Sequence, residues 1–94
     1  MTFLDFDWDI WNINKNELKH GVSKLEAESV FYDSKFVIFE DFKHSEKEKR
    51  FVSFGYSSEN RILMVGFTIR KPQKIRIITA RIASAKERKI YEQN

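Results

Sequence analysis

The chain has 94 residues, of which 41% are hydrophobic and 15% aromatic, a composition that supplies one compact core and excludes intrinsic disorder. It contains no cysteine, which excludes a disulfide framework, a thiolate nucleophile and a zinc–thiolate site. With 17 basic and 14 acidic residues, the formal net charge is +3, and we predict a single domain over residues 1–94 with no metal and no cofactor.

The positive charge lies mainly in the second half of the chain. Most acidic residues precede position 49, whereas the arginines all follow it: Arg50, Arg61, Arg70, Arg76, Arg81 and Arg88. A basic half of this kind indicates an anionic partner, either nucleic acid or an acidic protein. The N-terminal string MTFLDFDWD lacks the positive region of a signal peptide, and no apolar run is long enough to span a membrane. We therefore predict a cytoplasmic protein with no membrane partner.

The chain begins with patterns for a short strand and a helix. Thr2–Trp8 is apolar enough for a strand. Asp9 is placed to cap a first helix that runs through Leu18 and Lys19. Gly21 suits the left-handed position that follows a helix.

A second helix and a second strand follow. Ser23 and Glu26 have the spacing of a capping box, which predicts that the helix begins there, and Asp33 marks its end. Phe36–Phe39 is predicted to be a strand, and Glu40–Lys49 an exposed charged loop.

Three further elements are predicted to form strands and a hairpin. Apolar residues alternate with smaller ones from Val52 to Tyr56, as in a half-buried strand, and Ser57–Asn60 forms the turn. Ile62–Ile69 is apolar on both faces, which favours a central strand. Lys74–Ile82 is predicted to be a strand whose side chains alternate, with one face formed by Ile75, Ile77 and Thr79 and the other by Arg76, Ile78 and Ala80.

The chain closes with a second capping box. Ser84 and Glu87 predict a short C-terminal helix that continues through Tyr91. The predicted fold class is α+β: two N-terminal helices, an antiparallel meander of about four strands and a short C-terminal helix, with room for a short N-terminal strand.

Several strings occur in order between Trp8 and Glu92: WDIWNINKNELKHGVS, E-x-R-F, GYS-x-x-NR, FTIR, IRIITARIA and ER-x-x-YE. Together they resemble the BrnT-like toxins of type II toxin-antitoxin systems. The combination of KHGVS near the start with IRI-I-x-AR-x-A and ER-x-x-Y near the end makes the resemblance specific, and it covers nearly the whole chain.

The resemblance implies a RelE-like fold, a ribonuclease that cleaves mRNA and blocks translation, and a BrnA-like antitoxin encoded nearby, through which the toxin oligomerises. The family's motif residues fall on Trp8, Asp9, Asn16, Lys19, His20, Gly21, Glu48, Arg50, Gly55, Arg61, Arg70, Arg76, Arg81, Glu87, Arg88 and Tyr91. One departure is Ile82, which stands where a second arginine is often found.

Cleavage of RNA without a metal needs a base for the 2′-hydroxyl, cations for the charged phosphorane and an acid for the leaving 5′-oxygen. His20 is the candidate acid and base, because histidine serves in either direction at neutral pH. A histidine that caps the C-terminus of a helix is an equally good interpretation. His44, in the charge-rich string HSEKEKR, is predicted to be solvated.

Arginines are the candidate catalytic cations, because the guanidinium binds phosphate bidentately and stays charged. Arg81 lies among Ile, Thr and Ala residues, where a free charge is costly, so it needs a ligand or an ion pair with Glu48 or Glu87. Arg50 and Arg70 are predicted to join it on one sheet surface, although an exposed charge at a strand end explains each as well.

Other basic residues are predicted to attract the RNA backbone rather than to take part in the chemistry. These substrate-binding candidates are Lys19, Arg61 and Arg76. An alternative hypothesis is a non-catalytic module with the same fold that binds nucleic acid or a partner, which is consistent with Ile82. The two hypotheses are separated by whether the functional groups of His20 and Arg81 converge.

Overall fold

The computed structural model of the chain describes residues 4–71 and 73–93, and within these ranges it contains five strands and three α-helices. The strands are β1 (Asp5–Trp8), β2 (Val37–Glu40), β3 (Arg50–Tyr56), β4 (Ile62–Arg70) and β5 (Lys74–Ile82). The helices are α1 (Ile10–His20), α2 (Lys24–Ser29) and α3 (Ala85–Glu92), and short 3-10 turns occur at Val30–Tyr32 and Phe42–His44. The predicted α+β class is confirmed.

The sheet has the order β1-β5-β4-β3-β2. Strands β2 to β5 form the predicted antiparallel meander, but β1 is a fifth strand that pairs with β5 in parallel. The expectation of a purely antiparallel sheet is therefore wrong, because a parallel edge strand joins residues far apart in the chain and leaves no local turn signal. Of the strand predicted at Thr2–Trp8, Thr2 and Phe3 lie outside the described residues.

A β-bulge changes the faces predicted for β5. Gly66 pairs with Thr79 but Phe67 pairs with Ile77, so Ile78 is an extra residue in β5. Because a bulge shifts the alternation by one position, Ala80 lies in the same core cluster as Ile77, not on the opposite face. The predicted alternation is thus wrong beyond Ile77.

Each face of the sheet carries its own core. On one face, residues of α2 and the following turn pack with β4 and β5: Ala27, Val30, Phe31, Leu63, Val65, Phe67, Ile77 and Ala80. The close approach requires Gly55, since a Cβ atom there would lie 2.7 Å from Cγ1 of Val30. On the other face, α3 packs through Tyr91 in a smaller cluster with Phe54, Ile62, Met64 and Ala83.

The predicted helix starts are confirmed, but α2 ends at Ser29 and a 3-10 turn, not the same helix, continues to Tyr32 before Asp33. Asp9 accepts a hydrogen bond from the Trp11 amide at 2.8 Å, and Gly21 has φ = 65°. Ser23 accepts from the Glu26 amide, as an N-cap does, whereas the Glu26 carboxylate binds other residues instead of completing the box. None of the described helices is long and apolar enough to cross a membrane.

Candidate active site

An open cavity of about 350 Å³ lies on the sheet face that carries α3. The middle of the sheet forms its floor and apolar wall, through Phe51, Val52, Met64, Gly66, Phe67, Ile78 and Thr79. Charged and titratable residues surround it: Asp41, His44, Arg50, Arg81 and Glu87. Three segments therefore contribute to the cavity, namely the sheet, α3 and the loop between β2 and β3.

Arg50 is the first residue of β3, where its backbone is held by hydrogen bonds and its guanidinium has no partner among residues 4–71 and 73–93. Its amide donates to Oγ of Ser45 at 3.1 Å, and its carbonyl accepts from the Asp41 amide at 2.7 Å. Nε is buried and has no hydrogen-bond acceptor among the described residues, and no ion pair within that part of the chain includes Arg50. A buried donor without an acceptor is unfavourable, so an anion that draws the guanidinium into the cavity would relieve it.

Arg81 is held by α3. Its two terminal nitrogens donate to both carboxylate oxygens of Glu87, at 2.8 and 2.9 Å, and Glu87 also accepts from the Ser84 amide at 2.8 Å to complete the capping box of α3. The hydrogen bond from Arg81 lowers the pKa of Glu87, against the opposing effect of burial. The ion pair with Glu87, one of the two alternatives predicted for Arg81, is therefore present.

His44 and Asp41 form a hydrogen-bonded pair at the edge of the cavity. Nδ1 of His44 lies 2.9 Å from Oδ2 of Asp41, within the 3-10 turn that follows β2, and Ser45 holds this turn by donating to the Asp41 carbonyl. A carboxylate only accepts, so it fixes the proton on Nδ1 and leaves Nε2 of the neutral ring to act as a base.

The side chain of His44 is 58% exposed, which confirms the prediction that it is solvated. It nevertheless lines the cavity beside Arg50 and Arg81, which the sequence analysis missed. The charge run around it looks like an ordinary surface loop. The only available signal was the D-x-x-H spacing, which places Asp41 and His44 on one side of a helical turn.

A second cavity, of about 410 Å³, adjoins the first and shares His44 and Arg50 with it. It is lined also by Lys43, Glu46, Lys47 and Glu48. Arg70 lies at the end of β4, where its guanidinium is 3.7 Å from the Glu48 carboxylate. Arg70 thus contacts Glu48, a residue that lines the second cavity. Arg70 is not part of the described lining of the first cavity.

The structure brings Arg50 and Arg81 to one cavity but does not bring His20 there. His20 is the last residue of α1, where Gly21 follows it, and Lys19 is exposed beside it. Neither residue belongs to the described lining of either cavity. His20 lies at the C-terminal end of α1, which is the position required by its alternative interpretation as a histidine that caps a helix.

Arg61 and Arg76 are engaged in ion pairs within the protein. Arg61 donates to both oxygens of the buried Glu26, at 2.6 and 2.7 Å, and its hydrogen bonding lowers the pKa of that carboxyl against the effect of burial. Arg76 contacts Asp7 at 3.0 Å and Asp9 at 3.3 Å. These acids balance the charge of both arginines, which weakens them as attractants for phosphate.

Comparison with known proteins found a family model and a solved structure that are similar to the chain. The model of a family described as "Ribonuclease toxin, BrnT, of type II toxin-antitoxin system" matches residues 8–87, a range that contains every residue lining the first cavity. The crystal structure of the Brucella abortus ribonuclease toxin BrnT is similar, with a TM-score of 0.65 and 23% sequence identity over 87% of this chain and 99% of that one. This likeness shows a shared fold. No curated protein matches the chain at a significant level.

Proposed function

The chain belongs to the BrnT family of ribonuclease toxins of type II toxin-antitoxin systems, and on this premise we propose that it is an endoribonuclease that cleaves mRNA in the cavity beside α3 and so inhibits translation. The observation that carries the proposal is Arg50, a cation with no acidic partner among the described residues, in one cavity with the His44–Asp41 pair. The cavity thus contains both a cation that can bind phosphate and an acid–base group, and metal-independent cleavage of RNA needs both.

The proposed reaction is an internal transfer at phosphorus. Nε2 of His44 accepts the proton of the 2′-hydroxyl, and the 2′-oxygen forms a bond to phosphorus while the bond to the 5′-oxygen breaks. Arg50 binds the phosphorane oxygens, where negative charge develops. The leaving 5′-oxygen takes a proton from solvent in the open cavity. The products are a 2′,3′-cyclic phosphate and a free 5′-hydroxyl.

The other predicted catalytic residues have different positions in this proposal. Arg81 adds positive charge at the cavity but shares it with Glu87, and Arg70 meets the RNA backbone beyond the second cavity. His20 remains the competing acid–base candidate, which requires RNA to reach the end of α1. A weaker role, attraction of the RNA backbone, is left for Lys19, Arg61 and Arg76.

A second candidate function is a module that binds RNA or a partner without cleaving it. Two observations favour it: His20 does not share the cavity with Arg81, and Arg81 is already paired with Glu87. The His44–Asp41 pair favours the nuclease instead, because a pure phosphate-binding surface has no use for a carboxylate-oriented histidine.

For neutralisation, we propose a BrnA-like antitoxin encoded nearby, with which the toxin forms its oligomer in the cytoplasm. A segment of that antitoxin rich in Asp and Glu would bind the same cations as RNA and inhibit by occupying the cavity. RNA and antitoxin should therefore weaken each other's binding. Simultaneous binding without mutual weakening would show that the antitoxin acts from another surface.

The decisive experiment incubates the purified chain with single-stranded RNA and identifies the new ends. We expect 2′,3′-cyclic phosphate ends, their loss in Arg50→Ala, and their retention in the matched control Arg88→Ala, which changes an exposed arginine outside the described cavities. In cells, expression of the chain alone should arrest growth, and co-expression of the antitoxin should restore it. RNA binding without cleavage by the folded chain would favour the non-catalytic module.

A further inference from the structure

The cavity has an apolar part that the phosphate chemistry does not use. Val52, Met64 and Ile78 line it, and of these Val52 and Ile78 are only half-buried. A phosphate group gains nothing from such a wall, whereas an apolar ring that covers it removes apolar surface from water. The lining therefore fits a ligand with an apolar portion joined to an anion.

The shape and size of the cavity restrict that apolar portion. At about 350 Å³ the cavity is at the small end of ligand pockets, which span roughly 300–1,000 Å³. Gly66 leaves room for the side chain of Thr79, since a Cβ atom at Gly66 would lie 2.9 Å from Cγ2 of Thr79. A small apolar floor that is also lined by threonine, a residue with both donor and acceptor capacity, fits one planar heteroaromatic ring with polar edges.

We propose that this cavity binds one unpaired nucleobase of the RNA strand, with the adjoining phosphate at Arg50. This base site rests on the proposed function, because the ligand is taken to be RNA. It adds to that function a binding site for the base next to the scissile bond. A base held in a duplex is stacked and paired on both sides, so only a single-stranded or extruded nucleotide enters a site of this kind. The chain therefore selects single-stranded RNA.

The test compares two probes that differ only in the base: a nucleoside 5′-monophosphate and ribose 5-phosphate. Both are titrated into the isotope-labelled full chain, and the amide signals of Gly66 and Thr79 are followed by NMR. We expect at least one of the four common nucleotides to bind ten or more times more tightly than ribose 5-phosphate. Equal affinities for the two probes, or binding of neither, would overturn the base site. An acidic peptide serves as a third probe, and if it shifted these signals while no nucleotide did, the base site would also be overturned.

Two variants locate the site. Val52→Phe fills the cavity, and Ile78→Thr removes apolar surface and adds a hydroxyl, so each should reduce the nucleotide preference to less than threefold while ribose 5-phosphate still binds. The matched control is Ile69→Thr, a similar change at an exposed position of β4 outside the described lining, which should keep the full preference. A preference that survives both cavity variants would overturn the assignment.

The binding test is independent of cleavage. Base-dependent binding by a chain that never cleaves RNA would support the base site and refute the nuclease. Cleavage by a chain that binds nucleotide and ribose 5-phosphate equally would refute the base site and leave the nuclease intact.

Discussion

Arg81 and Glu87 join β5 to α3 through two parallel hydrogen bonds of 2.8 and 2.9 Å. The pair lies at the edge of the cavity, and the side chains are 36% and 18% exposed. Glu87 serves at the same time as the carboxylate of the α3 capping box. One acidic residue thus fixes the beginning of the helix and the direction of a candidate catalytic arginine.

The first prediction concerns this pair. Arg81→Ala should reduce RNA cleavage by less than the roughly 10²–10³ expected for a cation that contacts the phosphorane, because Arg81 shares its charge with Glu87. It should also lower the free energy of unfolding by about 1–2 kcal/mol, because it leaves the half-buried Glu87 without its cation, in a setting partly screened by solvent. Cleavage assays and thermal melting measure the two effects.

The double variant Arg81→Ala with Glu87→Gln is the control. It removes the carboxylate that Arg81→Ala leaves behind, so it should recover part of the lost stability but none of the lost cleavage. A well-folded Arg81→Ala protein that cleaves at the wild-type rate would exclude Arg81 from the mechanism and leave Arg50 and Arg70 as the cations.

The second prediction contrasts a free arginine with a paired one. Arg50→Ala should abolish cleavage and leave the melting temperature unchanged or higher, because it removes a buried donor that has no acceptor among the described residues. Arg61→Ala should instead destabilise the protein by about 3 kcal/mol, because it leaves the buried Glu26 carboxylate uncompensated.

Denaturant unfolding and a cleavage assay below the melting temperature separate these effects. The remaining folded fraction of Arg61→Ala should cleave at close to the wild-type rate. If Arg50→Ala kept full activity, Arg50 would not be the residue that binds the phosphate, and the cleavage site would have to lie outside this cavity.

The third prediction ranks the two histidines. His44→Ala should reduce cleavage by about 10²–10⁴, the range for a lost acid–base group, with little effect on stability because the side chain is exposed. Asp41→Asn should cost less, since it perturbs the tautomer of His44 but keeps the ring. His20→Ala should cost less than either change, because His20 lies outside the described cavity lining.

The cleavage rate of each variant on the same single-stranded RNA provides the measurement. A rate that falls in His20→Ala and is kept in His44→Ala would return the acid–base role to His20.

Local patterns were sufficient to predict most of the fold. The bounds of β5 agree with the prediction, and β4 is central because it is apolar on both faces, a property that needs no knowledge of its neighbours. The parallel pairing of β1 and the bulge at Ile78 were missed because both depend on contacts between strands. The RelE-like affiliation of the fold stays a prediction.

The candidate site was only partly predictable, for the same reason. Arg50 and Arg81 were identified by residue type, because arginine suits phosphate wherever it lies. The pairing of Arg61 with Glu26 of α2 depends on a tertiary contact. So does the cavity that His44 shares with Arg81. A charge in the sequence does not show whether an acid faces it in the fold.

The last prediction concerns the hydroxyl of Tyr91, which links α3 to the segment before β2 by donating to Asp33 at 2.6 Å. Burial, together with the adjacent Asp33 carboxylate, raises the pKa of Tyr91 to about 12. Because the folded value exceeds the unfolded value of about 10, this group contributes stability that is fully present below pH 10 and is lost as the pH rises through 12. The loss amounts to roughly 3 kcal/mol.

Absorbance at 295 nm should show a late tyrosine ionisation step near pH 12. Tyr91→Phe should remove that late step, flatten the alkaline loss of stability, and lower the free energy of unfolding at pH 7 by about 1–2 kcal/mol, since the hydrogen bond to Asp33 is gone. Tyr32→Phe is the matched control, because Tyr32 is 58% exposed and its removal should leave the late step in place. A late step that persists in Tyr91→Phe would assign it to another tyrosine and remove the Asp33 contact as its cause.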